Sequence, residues 1–165
     1  MSIPSASHPQ RIVVGVDGSD PSKEALRWAL GLASLTGGTV DAVTAWQYPA
    51  AASGYGWVPV PADDIDYASL AEKSLAETIS EVAGPDPDVV INPVVINGYP
   101  AAVLLHEAES ADLLVVGSRG HSEFTDTLLG SVSQNCVHHA RCPVVIIRQA
   151  KSGSRSDSQR STSVI

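Results

Sequence analysis

Aromatic side chains are scarce in this sequence, only 5% of 165 residues, with a single Phe. A core must then be filled by Val, Ile, Leu and Ala, the usual packing of a buried parallel sheet between helices. The two cysteines, Cys136 and Cys142, lack C-x-x-C spacing and read as reduced structural thiols in a helix and at a strand start, not as nucleophiles. No apolar run is long enough to cross a bilayer, and residues 1–10 carry neither a basic nor an apolar targeting region. The expectation is a cytoplasmic protein without a membrane partner. Positive charge is also in deficit, with 10 Lys and Arg against 18 Asp and Glu and a net charge of -8. Such a chain offers no extended basic surface, which removes nucleic acid as a partner class. Three motifs are missing as well. Without G-x-x-x-x-G-K-[ST] there is no P-loop lysine, without G-x-G-x-x-G after the first strand there is no ordinary dinucleotide fingerprint, and without G-x-S-x-G there is no nucleophile elbow.

What is present is a regular alternation. Five apolar runs of strand length occur at Ile12 to Val16, Val40 to Trp46, Val89 to Ile96, Leu113 to Val116 and Val144 to Ile147. Helical periodicity fills the gaps between them, so the order is β-α-β-α-β-α-β-α-β and the fold class is α/β with a parallel sheet. The first helix starts at Asp20 with Pro21 in its first turn and stops at Gly37-Gly38. The second spans Ala62 to Ala83, burying Ala68, Leu75, Ile79 and Val82, with Asp63 and Asp64 at its positive end and Glu72, Glu77 and Glu81 facing water. Those glutamates read as a solvated face, and no metal site is assigned. The third runs from Pro100 to about Ser110, and the fourth from Ser131 to before Cys142-Pro143.

At this length one domain is expected, with 1–10 as a flexible N-terminus, 11–149 as the folded unit and 150–165 as a disordered Ser-rich tail. Residues 49–61, rich in Gly and Pro and containing Trp57, read as a loop after the second strand, either a surface excursion or a lid.

The chemistry concentrates at two strand ends. The fourth strand runs into Gly117-Ser118-Arg119-Gly120, and after nine residues Gly130-Ser131 opens the last helix. Strand, glycine loop and helix start make an anion site, because glycines admit backbone close to a phosphate and a helix N-terminus offers unpaired N–H groups. The first strand ends in Gly15-Val16-Asp17-Gly18-Ser19. If these strands are neighbours, Asp17 faces the glycine loop across the switch point. A carboxylate repels phosphates, so Asp17 is expected at the adenine amine, at a ribose hydroxyl or on a metal, unless it only bonds backbone N–H groups of its own turn. His121 reads as an ordinary loop histidine, and His138 and His139 as cations at a helix C-terminus.

The spacing G-x-x-G-x9-G-[ST] at Gly117, Gly120, Gly130 and Ser131 resembles the signature of the ATP-binding branch of the universal stress protein family. The likeness extends from the Ile12–Ser19 stretch to Cys142-Pro143-Val144-Val145-Ile146-Ile147. It implies a five-stranded parallel sheet in the order 3-2-1-4-5 with helices on both faces, an adenine-nucleotide alpha-hydrolase-like fold, and a homodimer through the fifth strand. It also implies that Asp17 and the backbone around Gly15 and Val16 contact adenine and ribose, with Ala45 and Val116 beside the base. Gly117, Arg119, Gly120, Gly130, Ser131, Val132 and Ser133 would surround the phosphates, the serines through their hydroxyls, while Arg119 either pairs the phosphates or points to solvent.

The implied ligand is ATP, with or without Mg²⁺, and the implied role is a dimeric regulatory module in stress response with protein partners unspecified. A slow Mg-dependent ATPase or phosphotransferase is an alternative of a different class. Only Arg119 is visible as a fixed cation and no nucleophile is positioned, so no catalytic residue is assigned. A sensor of another nucleotide such as cyclic AMP, and a ligand-free dimeric scaffold, are the remaining readings.

Overall fold

The computed structural model describes residues 10–48, 65–119 and 129–148. Five strands, β1 (Arg11–Gly15), β2 (Thr39–Trp46), β3 (Val90–Asn97), β4 (Leu113–Gly117) and β5 (Val144–Ile147), form one sheet in the order β3-β2-β1-β4-β5. Every pairing is parallel. The helices are α1 (Asp20–Thr36), α2 (Tyr67–Ala83), α3 (Pro100–Glu107) and α4 (Ser131–His139). A three-residue 3-10 turn, Ala108–Ser110, finishes α3, so the last turn expected of that helix tightens instead of continuing as α.

Alternation along the central strands sends side chains into two cores. Ile12, Val14, Val40, Ala42 and Val115 pack with Leu26, Ala29 and Leu75 beneath α1 and α2. Val13, Val43, Leu114 and Val116 pack with Val103, Leu104 and Cys136 beneath α3 and α4. Period-two alternation in strands covered on both sides explains why the runs are apolar throughout.

Helix α1 keeps its expected ends. Ser19 caps it, accepting from the Ser22 amide at 3.4 Å, and Gly37 closes it in the left-handed region at φ 69°. Helix α2 starts later than its periodicity predicts. Ile65 and Asp66 are not helical, and the Asp66 carboxylate caps the helix by accepting from the Ser69 amide at 3.0 Å. Residues 62–64, and with them Asp63 and Asp64, lie outside the described residues. On the buried face Leu75 is joined by Thr78, whose hydroxyl donates back to Ser74 O at 2.9 Å, while Ala68, Ile79 and Val82 are half-buried. Helix α4 ends at His139, two residues short of Arg141.

Strand β3 takes the edge position that the order 3-2-1-4-5 implied, one residue later than the apolar run Val89 to Ile96. It is an edge strand with Val90 and Pro93 exposed, and Pro93 sits opposite Ala42, where its missing N–H costs the ladder least. The N-terminal edge of the sheet holds a polar knot. Arg11 pairs with the buried Asp41 at 2.7 Å and donates to Glu107 O at 2.9 Å and Ser110 Oγ at 2.8 Å, while Asn92 donates to the other Asp41 oxygen at 2.8 Å. It ties β1, β2 and β3 to the end of α3, on the edge opposite the cavity described next.

Candidate functional site

At the carboxyl edge, β1 and β4 are neighbours whose following helices leave to opposite faces of the sheet, α1 to one and α4 to the other. This topological switch point opens a crevice, as it does generally in open α/β sheets. Here it is a cavity of about 410 Å³, within the range of small-molecule sites. Gly15, Val16, Asp17, Ala45, Val116, Gly117, Arg119, Gly130, Ser131, Val132 and Ser133 all line it. The remaining predicted site residue, Gly120, lies outside the described residues, as do His121, the loop 49–61 and the tail 150–165.

The strand order gives the cavity two ends. Towards β2 the walls are apolar, with Val16, Val43 and Ala45, and Val116 of β4 and Leu104 of α3 add apolar surface to the lining. Val16 leaves the strand but its amide still donates to Val43 O at 2.9 Å, and Thr44 Oγ1 donates to Val16 O at 2.8 Å, so this end of β1 is held on both backbone groups. Towards β4 the lining is backbone and polar. The first intrahelical bond of α4 is Gln134 N to Gly130 O at 3.0 Å, so the amides of Ser131, Val132 and Ser133 are the orphan donors of a helix start. The exposed Arg119 stands at the same end.

Local bonds hold that end in register. The Gly130 amide donates to Ser118 O at 2.8 Å, and the Ser118 amide to Ile147 O at 2.8 Å, which strings α4, the loop after β4 and β5 together. Ser133 is buried, and its hydroxyl donates to Gly117 O at 2.6 Å. That proton is therefore used on the protein's own backbone, a different employment from the phosphate contact expected of it, whereas Ser131 is exposed at the cavity rim. Gly117 also has a packing reason: a Cβ there would lie 2.8 Å from Pro21 C and 2.9 Å from Pro21 O.

Asp17 lines the cavity and also stabilises its own turn, since Oδ1 accepts from the Ser19 amide at 3.0 Å and from the Ser19 hydroxyl. The bonds within its own turn, the alternative expected for this residue, are therefore present, and the residue lines the cavity as well. Gly18 at φ +81° lets the chain turn from β1 into α1 at this point. Among the described residues no group of three or more His, Cys, Asp or Glu is arranged to hold a metal ion.

Ser22, Val43, Thr44, Pro100 and Leu104 also line the cavity and were not expected there. Ser22 carried a usable signal, as the first-turn serine of a helix leaving the β1 end. Its buried hydroxyl accepts from the Asp17 amide at 3.3 Å and donates to Ser19 O at 2.9 Å. Pro100 and Leu104 carried none, because only the packing of α3 across the sheet brings them to the crevice.

The sequence profile of the universal stress protein family matches residues 9–148. The chain is 38% identical over 151 residues to the universal stress protein Rv2005c of Mycobacterium tuberculosis, covering 90% of this chain and 48% of that protein. It thus spans about half the length of the curated relatives it matches. Among solved structures, the universal stress protein UspA from Lactobacillus plantarum superposes with a TM-score of 0.69 at 22% identity, covering 86% of this chain and 99% of that one. A universal stress protein in complex with cAMP gives 0.60 at 26% identity, covering 87% and 100%. An Arabidopsis thaliana protein of the same family with AMP bound gives 0.56 at 22%, covering 90% and 97%. With the profile matched along the whole of the described sheet, and a curated relative alike over 90% of the chain, the chain belongs to the universal stress protein family.

Proposed function

We propose that this chain binds an adenine nucleotide in the cavity between β1 and β4, and that the bound state sets its activity as a dimeric regulatory module in stress response. The observation that carries the reading is the two-ended cavity: an apolar slot towards Val16, Val43 and Ala45 suits a purine, and the α4 N-terminus with Arg119 suits phosphate. The cAMP and AMP complexes of family members support the same class of ligand. Gly117, Gly130, Ser131 and Val132 contribute backbone at the phosphate end, and Asp17 with the backbone of Gly15 and Val16 meets the ribose or base. ATP is the ligand proposed from the glycine signature. Any Mg²⁺ would arrive with the triphosphate, with Asp17 the carboxylate at hand in the described lining.

Pairing of two copies through β5 belongs to the same proposal, as does action in the cytoplasm. Strand β5 is the outer strand on its side of the sheet, so its far backbone groups face outwards among the described residues.

Calorimetric titration of the full chain with ATP, with and without Mg²⁺, AMP, cAMP and adenosine tests the reading, together with mass spectrometry of nucleotide that co-purifies. ATP tighter than the others supports the proposal, and Gly130→Val should weaken it at least about tenfold by filling the cavity wall. Preference for cAMP, favoured by the 26% identical neighbour, would replace ATP by the cyclic nucleotide. No binding by any of them would leave a ligand-free scaffold. Multiple-turnover phosphate release lost in Asp17→Ala, with binding retained, would make the protein a slow ATPase instead.

A further inference from the structure

The cavity does not end at the α4 N-terminus. Between α3 and α4 lies a second concavity, a groove of about 490 Å³ lined by Tyr99, Ala101, Ala102, Leu105, Asn135 and His139. Pro100, Ser131 and Val132 line both, so the two openings meet where the phosphates of a cavity-bound nucleotide are proposed to sit. Both helices follow parallel strands, so both begin at the carboxyl edge of the sheet and run side by side away from it. Neither start is capped by a side chain among the described residues. The first backbone bond of α3 is Val103 N to Tyr99 O at 3.0 Å, and Pro100 has no N–H, which leaves the amides of Ala101 and Ala102 as orphan donors beside those of Ser131 and Val132. A polyanion crossing from the cavity into the groove therefore meets a second helix start.

Further along, the groove changes character. Asn135 Nδ2 donates to Ser131 O at 2.9 Å, which leaves its Oδ1 as an acceptor. The His139 ring bonds through Nδ1 to Asn135 O at 3.0 Å. A carbonyl only accepts, so Nδ1 carries the proton and Nε2 of the neutral ring is an acceptor. Donors at the helix starts and acceptors below them match a ligand that presents phosphates first and hydroxyls or an amine after. Tyr99, 74% exposed at the start of α3, offers a ring face to a base, and Ala102 and Leu105 provide apolar lining.

We propose, on the footing of the nucleotide reading of the cavity, that the groove seats the second nucleoside of a dinucleoside polyphosphate. The first nucleoside lies in the cavity, the phosphates pass over Ser131 and Val132 to Ala101 and Ala102, and the second sugar and base lie along Leu105, Asn135 and His139. Size favours this over a thin arm attached to the phosphates. The groove is no smaller than the cavity of about 410 Å³ that takes the first nucleoside, and Ser131 to His139 gives it a length of roughly 12 Å along α4.

Calorimetric titration of the full chain with diadenosine tetraphosphate and with adenosine 5′-tetraphosphate, which has the same phosphates and no second nucleoside, tests this. The dinucleotide should bind at least about tenfold tighter. Ala102→Leu fills the groove from an exposed helical position, His139→Leu removes an acceptor and Tyr99→Ala removes the ring. Each should reduce that ratio at least about fivefold, with circular dichroism as the check on folding. Equal affinity for the two ligands overturns the groove and leaves the cavity standing, and so does a ratio that survives all three variants. Coenzyme A, whose pantetheine arm carries no second base, binding tighter than the dinucleotide would overturn the second nucleoside. No binding by any of these ligands or by ATP overturns the cavity reading, and the groove with it.

Discussion

The position a Cβ would take on Gly117 lies 2.8 Å from the carbonyl carbon of Pro21, so the first turn of α1 rests directly on the last residue of β4. The glycine expected to admit a phosphate is also required by helix packing. Gly117→Ala should destabilise the protein by about 1–3 kcal/mol, because backbone cannot yield as a side chain can. Urea denaturation at unchanged slope measures it, and an unaltered midpoint would mean that α1 can retreat.

The hydroxyl of Ser133 and that of Ser131 should behave differently. Ser133→Ala removes a buried bond to Gly117 O and should cost about 1–2 kcal/mol. Ser131→Ala, at an exposed position, should stay within about 0.5 kcal/mol of the parent. Thermal unfolding of the pair separates the structural serine from the one at the rim.

Arg11 is the counter-ion of the buried Asp41 and should be needed for stability rather than for binding. Arg11→Ala should cost about 2–3 kcal/mol, below the loss for fully buried pairs because part of the Arg11 side chain remains in water. Nucleotide affinity, measured well below the new melting temperature, should not move. A parallel fall in affinity would show that the two edges of the sheet are coupled.

Burial, with a smaller contribution from nearby Cys142, pushes the Cys136 thiol up to about 11 from its ordinary 9.0. The unfolded chain then loses its proton first as pH rises, so Cys136 favours the folded state below about pH 9 and stability falls between pH 9 and 11. Denaturant midpoints across that window should decline more steeply in the parent than in Cys136→Ala. At pH 8 a thiol reagent should reach the half-buried Cys142 before Cys136, which is buried in α4.

If ATP binds as proposed, with its phosphates at the α4 end where Arg119 lines the cavity, Arg119→Ala should weaken ATP about tenfold while leaving adenosine nearly unchanged. Equal losses for both ligands, read by calorimetry, would place Arg119 away from the phosphates.

Much of the architecture is legible before folding is considered. Ser19-Asp20-Pro21 starts α1 and Gly37 ends it for local reasons, namely a side-chain cap, a preset proline φ and a left-handed glycine. The later start of α2 was hidden because apolar periodicity says where a face lies but not where the first turn closes, which the Asp66 cap decided. In β3 the apolar run locates the strand, and Pro93 is the local feature that agrees with its edge position.

The site divides in the same way. Strand ends, glycines and the first turn of a helix are features of neighbouring residues, so each loop could be read locally, but that Gly15 to Asp17 share one crevice with Gly117 and Gly130 to Ser133 was implied only by the family resemblance, because the β1–β4 pairing joins residues about a hundred positions apart. Which hydroxyls are already committed could not be read from the chain, because Ser133 and Gly117 are sixteen residues apart and their bond exists only once α4 packs on β4. Nor could Pro100 and Leu104 in the cavity wall, or the Arg11 and Asp41 knot. The sequence by itself determined the order of strands and helices and the local chemistry of each loop, since caps, turns and periodicity act over a few residues. Tertiary structure alone decided which groups face the cavity, which satisfy one another and which remain outside, because those outcomes depend on distances between elements that the chain does not join directly.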